Sequence, residues 1–162
     1  MKIGIISDTH LISYSGQLDV IVEEHFANAD VILHAGDIVD ISILEVFRGK
    51  PLYAVCGNMD LPNVREVLPR KLILEIQGHR IGLIHGWGWG NPSDIEDRLL
   101  SQFDNIDCLV YGHTHHAVNK IRDSMVIFNP GSPTDRRFAP RNTIGILDIG
   151  TTIEGTIIEL GT

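Results

Sequence analysis

Five times along this chain an apolar, β-branched run stops and a short segment rich in metal-ligand residue types follows at once. The junctions are Ser7-Asp8-Thr9-His10, His34-Ala35-Gly36-Asp37, Cys56-Gly57-Asn58-Met59-Asp60, His85-Gly86 and Gly112-His113-Thr114-His115. This repetition constrains fold and function together. In an open α/β sheet the carboxyl ends of neighbouring strands gather on one edge, and ligands bind there. The five loops are therefore expected to converge. They would deliver two aspartates, an asparagine and four histidines. Imidazole nitrogen with carboxylate oxygen suits manganese, iron, zinc, nickel or cobalt, and no thiolate is offered for a structural zinc finger. Gly36, Gly57, Gly86 and Gly112 each border a candidate ligand, where the missing Cβ permits a tight turn and close backbone approach.

The β-branched content predicts strands over 2–6, 31–34, 52–56, 71–76, 80–84, 108–111, 125–128, 143–148 and 152–159. Gln77-Gly78-His79 reads as a hairpin turn. Apolar Leu18, Ile21, Val22 and Phe26 recur at helical spacing and predict a helix over 17–28. Further helices are expected over 42–47 and 93–103, the latter opened by a Ser93 to Glu96 capping box. Strands alternating with helices predict a largely parallel α/β sheet early on. The later hairpins predict a second, more antiparallel sheet packed on it. No linker or repeat divides residues 1–162, so one domain is expected.

Composition narrows the class. Of 162 residues, 43% are hydrophobic and 21% charged, which is ordinary globular composition. No apolar run reaches the ~20 residues of a membrane span. The run after Met1 meets Ser7-Asp8 too soon for a secretory signal, so a cytoplasmic protein is expected. Cys56 and Cys108 sit in apolar runs and read as reduced core thiols. The net charge of −8 argues against a stable nucleic-acid complex, which needs a basic face. An acidic chain can still bind phosphate if a metal cluster supplies local positive charge.

Seven ligand types divide into two sites with one shared carboxylate. Two metals ~3.5–4 Å apart can clamp a phosphoryl group and activate a bridging water. The motifs Asp8-x-His10, Gly36-Asp37, Gly57-Asn58-x-Asp60, His85-Gly86 and Gly112-His113-x-His115, in this order, resemble the calcineurin-like metallophosphoesterase superfamily. The chain's size and its Asn129-Pro130-Gly131-Ser132 resemble that family's small bacterial and archaeal phosphodiesterase branch.

The resemblance implies a four-layer α-β-β-α sandwich of two mixed sheets. It implies that Asp8, His10, Asp37 and His115 hold a first metal, and that Asp37, Asn58, His85 and His113 hold a second, with Asp37 bridging. A water or hydroxide between the metals would be the nucleophile, and Asp60 would orient the asparagine loop. Asp37, Asn58, Asp60 and His85 are thus the expected catalytic residues. The expected cofactor is a pair of divalent ions, manganese first, with nickel, iron or zinc after. The expected substrate is a small phosphodiester, a nucleotide among the candidates. Related small phosphodiesterases often self-associate, so a homodimer is compatible with the resemblance. Two departures stand out. Met59 replaces a histidine that protonates the leaving group in many members, and Trp87 follows His85-Gly86 where some members have histidine. Loss of a general acid costs ~10²–10⁴-fold in rate.

Other residues invite blander readings. His25 reads as a boundary residue, His79 as solvated, His34 as either a loop-orienting or a structural histidine, and His116 as a bystander. Trp87 and Trp89 read as packing residues rather than a stacking wall. Asn129–Ser132 is either a turn or a site-lining loop. Arg136 and Arg137 could grip phosphate but read as a solvated pair. Asp94, Glu96 and Asp97 suit the first turn of a helix. Two rival functions remain: a scaffold on the same fold, as in a retromer subunit that resembles this family but has an incomplete ligand set, and a nucleotide pyrophosphatase or phosphomonoesterase.

Overall fold

The computed structural model describes residues 1–88 and 94–161. Trp89 and Ser93, with its capping box, lie outside the described residues. Strands β1 (Lys2–Ile6), β2 (Val31–His34) and β3 (Leu52–Ala54) are parallel neighbours. The C-terminal hairpin of β9 (Thr143–Ile149) and β10 (Ile153–Glu159) joins them through an antiparallel β1–β9 ladder, giving the order β10-β9-β1-β2-β3. The second sheet has the order β4-β5-β6-β8-β7, built from β4 (Lys71–Ile76), β5 (His79–Ile84), β6 (Cys108–Tyr111), β7 (Val118–Arg122) and β8 (Met125–Asn129).

Both sheets are therefore equally mixed, each with two parallel and two antiparallel pairings among the described residues. This corrects the expectation of one largely parallel and one more antiparallel sheet. The last hairpin extends the first sheet because Lys2–Ile5 pairs with 145–148.

Alternation along the strands explains the layers, since successive side chains leave opposite faces. Ile3, Ile5, Val31 and Leu33 meet Ile81, Leu83, Val110 and Phe128 between the two sheets. Ile6 and Ile32 point the other way, onto Leu18, Ile21, Phe26, Ile43, Phe47 and Val64 of the covering helical segments. Leu109, Tyr111 and Ile127 leave the far face of the second sheet to meet Ile95, Leu99 and Phe103. Three apolar clusters separate four layers, as the resemblance implied. Cys56 and Cys108 are both free and buried, as expected.

The helical layers are shorter than predicted. Helix α1 (Gly16–Val20), capped by the Ser15 hydroxyl, runs into a π turn over Ile21–His25. Phe26 N–H bonds Ile21 O at 3.1 Å, and this widened turn lets Ile21 and Phe26 bury on one face. The 42–47 segment is a 3₁₀ helix, Ile41–Phe47, capped by Asp40. A single-turn helix, α2 (Pro62–Arg65), was not predicted, and α3 covers Ile95–Leu100. Gln77 and Gly78 both take positive φ, 52° and 81°, the signature of a two-residue type I′ hairpin. Among the described residues, no helix is long and apolar enough to cross a membrane.

Candidate metal centre

The parallel strands β1, β2, β3, β5 and β6 place the five loops at one end of the sandwich. The first sheet supplies Asp8, His10, Asp37, Asn58 and Asp60, and the second supplies His85, His113 and His115. Asp8 is the meeting point. Its Oδ1 lies 3.3 Å from His115 Nε2, 3.7 Å from His10 Nε2 and 4.0 Å from His85 Nε2. Its Oδ2 accepts from Ser7 Oγ at 2.6 Å and from the His113 backbone N–H at 3.0 Å. Asp37 Oδ2 stands 3.3 Å from His85 Nε2 and 3.7 Å from His10 Nε2, while its Oδ1 accepts from Met59 N–H at 2.8 Å. Asn58 Oδ1 lies 3.2 Å from His85 Nε2. The His113 ring stands edge-on to His85 with centroids 5.2 Å apart.

Two tight groups result, Asp8-His10-His115 and Asp8-Asp37-His85, each with donor atoms within 4.8 Å of one another. Asp8 is common to both, whereas the resemblance gave the shared position to Asp37. Asp37 nonetheless faces a histidine of each group.

The donor set fits a divalent transition ion. Asp8 Oδ1 is buried and meets no donor in hydrogen-bonding geometry among the described residues. A buried carboxylate oxygen left this way is costly without a counter-charge. His10 Nε2 and His115 Nε2 also lie 3.1 Å apart, so two nitrogen lone pairs aim at one point unless a proton or a cation stands between them. Burial disfavours charge on Asp8, yet the facing His85, the nearby His10 and His115 rings and the Ser7 hydroxyl hold its carboxyl well below the usual range. Burial likewise opposes charge on His85, but Asp8 and Asp37 outweigh it and push His85 up to about 9. The cluster is thus electronegative enough to hold a proton on His85, and a cation binding there would displace it.

The backbone is bent to make this cluster. Asp8, His10, Asp37, His113 and His115 all adopt left-handed φ, at 55°, 48°, 54°, 68° and 59°. Non-glycine residues rarely do so, and such strain gathers at functional sites. Three of the bordering glycines, Gly36, Gly57 and Gly112, are needed for space, the first because a Cβ would stand 2.8 Å from the His85 side chain. A Cβ on Gly112 would overlap Ser7 Oγ and stand 2.7 Å from Asp8 Oδ2; one on Gly57 would overlap Asp37 Oδ1 and stand 2.8 Å from His85 Cδ2.

Supporting groups hold the loops. Asp60, 3% exposed, accepts Val39 N–H and Gly57 N–H at 2.6 Å each and so ties the second loop to the third. His34 accepts from Gly36 N–H at 3.2 Å on Nδ1, which leaves its Nε2 to donate to Thr9 Oγ1 at 3.2 Å. It orients the loops as well as filling the core. Burial pushes His34 down to about 3, against an ordinary 6.5. Between those pH values the unfolded chain binds a proton that the folded chain refuses, so stability falls as pH drops from 6.5 towards 3. The loss reaches about 2 kcal/mol near pH 5. Urea denaturation at pH 7 and pH 5 should give a smaller pH difference in His34→Gln; equal differences in both proteins would refute the assignment.

Asn129–Ser132 braces the loops from behind. Asn129 Nδ2 donates to Gly112 O at 2.9 Å, and Ser132 Oγ donates to Asp8 O at 2.8 Å. Sequence reasoning missed Asp135, which follows this motif. Its Oδ2 lies 3.6 Å from His115 Nδ1, a buried nitrogen with no other partner among the described residues. Arg137 grips the same carboxylate through Nε and Nη2 at 2.9 and 2.6 Å. A histidine that offers Nε2 to a metal carries its proton on Nδ1, and a carboxylate there fixes the ring. The available signal was that the strand-to-polar-loop pattern occurs a sixth time, after Met125–Asn129. Asp135→Asn should weaken manganese affinity about 10–100-fold with the fold intact, read by calorimetry. Unchanged affinity would remove Asp135 from the site.

Other expectations resolve individually. His79 is half-buried, its Nε2 3.0 Å from Gly150 O, rather than solvated. His25 is half-buried in the π turn, and His116 is exposed at the cleft. Arg136 is exposed, whereas Arg137 and Phe138 line the cleft. Glu96 and Asp97 pair with Lys120 and Arg122. The cleft, of about 710 Å³, is floored by His10, Asp37, Asn58, His113 and His115 and walled by Trp87 and Met59. Trp87 is not packed away as expected: it is half-buried, with the Arg70 guanidinium 4.4 Å from its ring.

A four-layer sandwich with aspartates and histidines gathered at its strand ends defines a metal-dependent phosphoesterase. The chain belongs to the calcineurin-like phosphoesterase superfamily, whose domain matches residues 1–152, and it is a phosphoesterase enzyme. It is 39% identical to a probable metallophosphoesterase of Methanocaldococcus jannaschii over 163 residues, covering 99% of this chain and 82% of that protein. The solved structure of an archaeal phosphodiesterase is 28% identical, with a TM-score of 0.80 covering 99% of this chain and 100% of the other. Vps29 of Entamoeba histolytica, 21% identical with a TM-score of 0.72 over 98% of this chain and 99% of the other, shares the fold.

Proposed function

We propose that this chain is a phosphodiesterase that uses two divalent metal ions, manganese first and nickel, iron or zinc as substitutes, acting on a small phosphodiester within a single domain of residues 1–162. The observation that carries this reading is the position of Asp37 Oδ2, 3.3 Å from His85 Nε2 and 3.7 Å from His10 Nε2, so that one oxygen faces both ligand groups. Asp8, His10, Asp37 and His115 would hold one ion, and Asp37, Asn58, His85 and His113 the other. Such ions supply Lewis acidity at phosphorus and an activated water. Asp60 keeps Asn58 and Asp37 in register through its two backbone bonds, and Asp135 keeps the His115 ring aimed. The free, buried thiols of Cys56 and Cys108 suit a reducing compartment such as the cytoplasm.

Met59 lines the cleft and is 54% exposed, so a side chain without a transferable proton stands at the position where many members carry the histidine that protonates the leaving group. Departure then depends on the leaving group's own acidity. The test is turnover of bis(p-nitrophenyl) phosphate, its alkyl counterpart and p-nitrophenyl phosphate, with single metals and with a chelator. The expected result is manganese-dependent hydrolysis of the aryl diester, with the alkyl diester and the monoester well behind. Turnover that survives exhaustive chelation, or none with any metal, would overturn the reading.

A further inference from the structure

A second cleft, of about 470 Å³, adjoins the metal-ligand cleft across the shared wall of Gly86, Trp87 and Gly88. Arg70 and Lys71 line it, as does His85. Arg65 approaches from the side. Its Nη2 donates to Asn58 O, and its guanidinium carbon lies 5.8 Å from the Trp87 ring centre. The Arg70 guanidinium lies 4.4 Å from the same centre. Lys71 Nζ donates to Gln102 O at 2.6 Å.

Three features set this cluster apart. First, no described carboxylate forms an ion pair with Arg65, Arg70 or Lys71, although the chain carries a net charge of −8. Secondly, both guanidinia lie at one indole ring, 5.8 and 4.4 Å from its centre, so two positive charges are gathered at the wall that the two clefts share. Thirdly, each cation is held in place, Arg70 by the ring, Arg65 by Asn58 O and Lys71 by Gln102 O. Anchored arginine forks suit phosphate oxygens, and holding them ready lowers the ordering cost of binding.

We propose that Arg65 and Arg70 at the Trp87 ring, with Lys71 on the lining of the second cleft, form an anion subsite continuous with the metal-ligand cleft, and that the substrate is a phosphodiester carrying a second, non-reacting phosphate. This deepens the phosphodiesterase reading above and rests on it. The scissile group lies at the aspartates and histidines, and the further phosphate reaches past Trp87 to the cations. The overall negative charge would otherwise repel a polyanion, so a local positive subsite is what lets this chain prefer one.

The test compares a thymidine dinucleotide with and without a 5′-phosphate, and bis(p-nitrophenyl) phosphate, all with manganese. The proteins are wild type and the Arg70→Ala/Lys71→Ala double variant, whose changed residues are both exposed. Wild type is expected to show a KM about tenfold lower for the phosphorylated dinucleotide, and the double variant to lose that preference while its kinetics on bis(p-nitrophenyl) phosphate stay unchanged. Equal KM values in wild type, or a preference that survives in the double variant, would overturn the subsite and leave the phosphodiesterase reading intact. If no diester is hydrolysed, that reading fails, and calorimetric titration with the two dinucleotides decides the subsite alone. Tighter binding of the phosphorylated one, lost in the double variant, supports it; equal affinity overturns it.

Discussion

Asp37→Asn should lower manganese-dependent hydrolysis of bis(p-nitrophenyl) phosphate by about 10³-fold, while the metal-free protein still folds and gains little stability from manganese. The substitution keeps size and shape, and the amide oxygen can still accept from Met59 N–H at the Oδ1 position. It removes the negative charge that faces His10 and His85. A metal ion contributes several kcal/mol to a phosphoryl-transfer transition state, and each factor of ten in rate is about 1.4 kcal/mol. The stability side follows from the neighbouring groups. In the metal-free state burial opposes charge on Asp37, but the facing His85 and the Met59 N–H outweigh it and hold the carboxyl below its usual range, so asparagine gives up the pairing with His85 while relieving the smaller repulsion from Asp8. Two measurements separate these effects: initial rates with manganese, and thermal melts with and without it. The variant's melting temperature should rise far less than wild type's on adding manganese. Full activity in Asp37→Asn would end the two-ion reading.

The largest loss of stability is expected from Asp60→Ala, about 3–5 kcal/mol. Its carboxylate accepts two backbone N–H groups at 2.6 Å in a buried setting, and bonds to a charged acceptor are worth about 1.5–3 kcal/mol each. Alanine leaves both donors, Val39 and Gly57, without a partner. It also frees Val39, a β-branched residue at φ 81°, from the contact that holds its strained turn. For a chain of this size the melting temperature should drop by about 10 °C. Asp60→Asn, with one amide oxygen left to accept, should fall between wild type and alanine. A loss below about 1 kcal/mol in Asp60→Ala, measured by urea denaturation, would show that the two loops are held by something else.

Asp8, Asp37, Asn58, His85 and the His113–His115 pair were legible in the sequence because each sits directly after a strand, and strands announce themselves locally. What brings their loops together is the parallel direction of β1, β2, β3, β5 and β6, and strand–loop–helix alternation already implied it. Edge and long-range features were not legible. Val118–Arg122 has one half-buried residue and four exposed ones, so it shows no apolar alternation and no strand was predicted there. The pairing of Lys2 with Asp148 spans the whole chain, and no local pattern encodes it. Asp135 escaped because Arg136 and Arg137 beside it suggested a solvated loop, whereas one of those arginines folds back and buries the carboxylate. The left-handed ligands escaped because aspartate and histidine carry no mark of an unusual φ in one sequence.

Those five left-handed positions bear on how such a chain could change over generations. Glycine or asparagine would rest more comfortably at each of them, so the ligands are kept against a conformational preference for something else. A descendant released from the need to bind metal could replace them one at a time with residues that relieve the strained φ, provided asparagine at 8 and 37 still accepted the bonds from Ser7, His113 and Met59. Acquiring the same centre afresh would require several unfavourable substitutions before any of them was useful. Chemistry on this scaffold should therefore be easier to abandon than to invent.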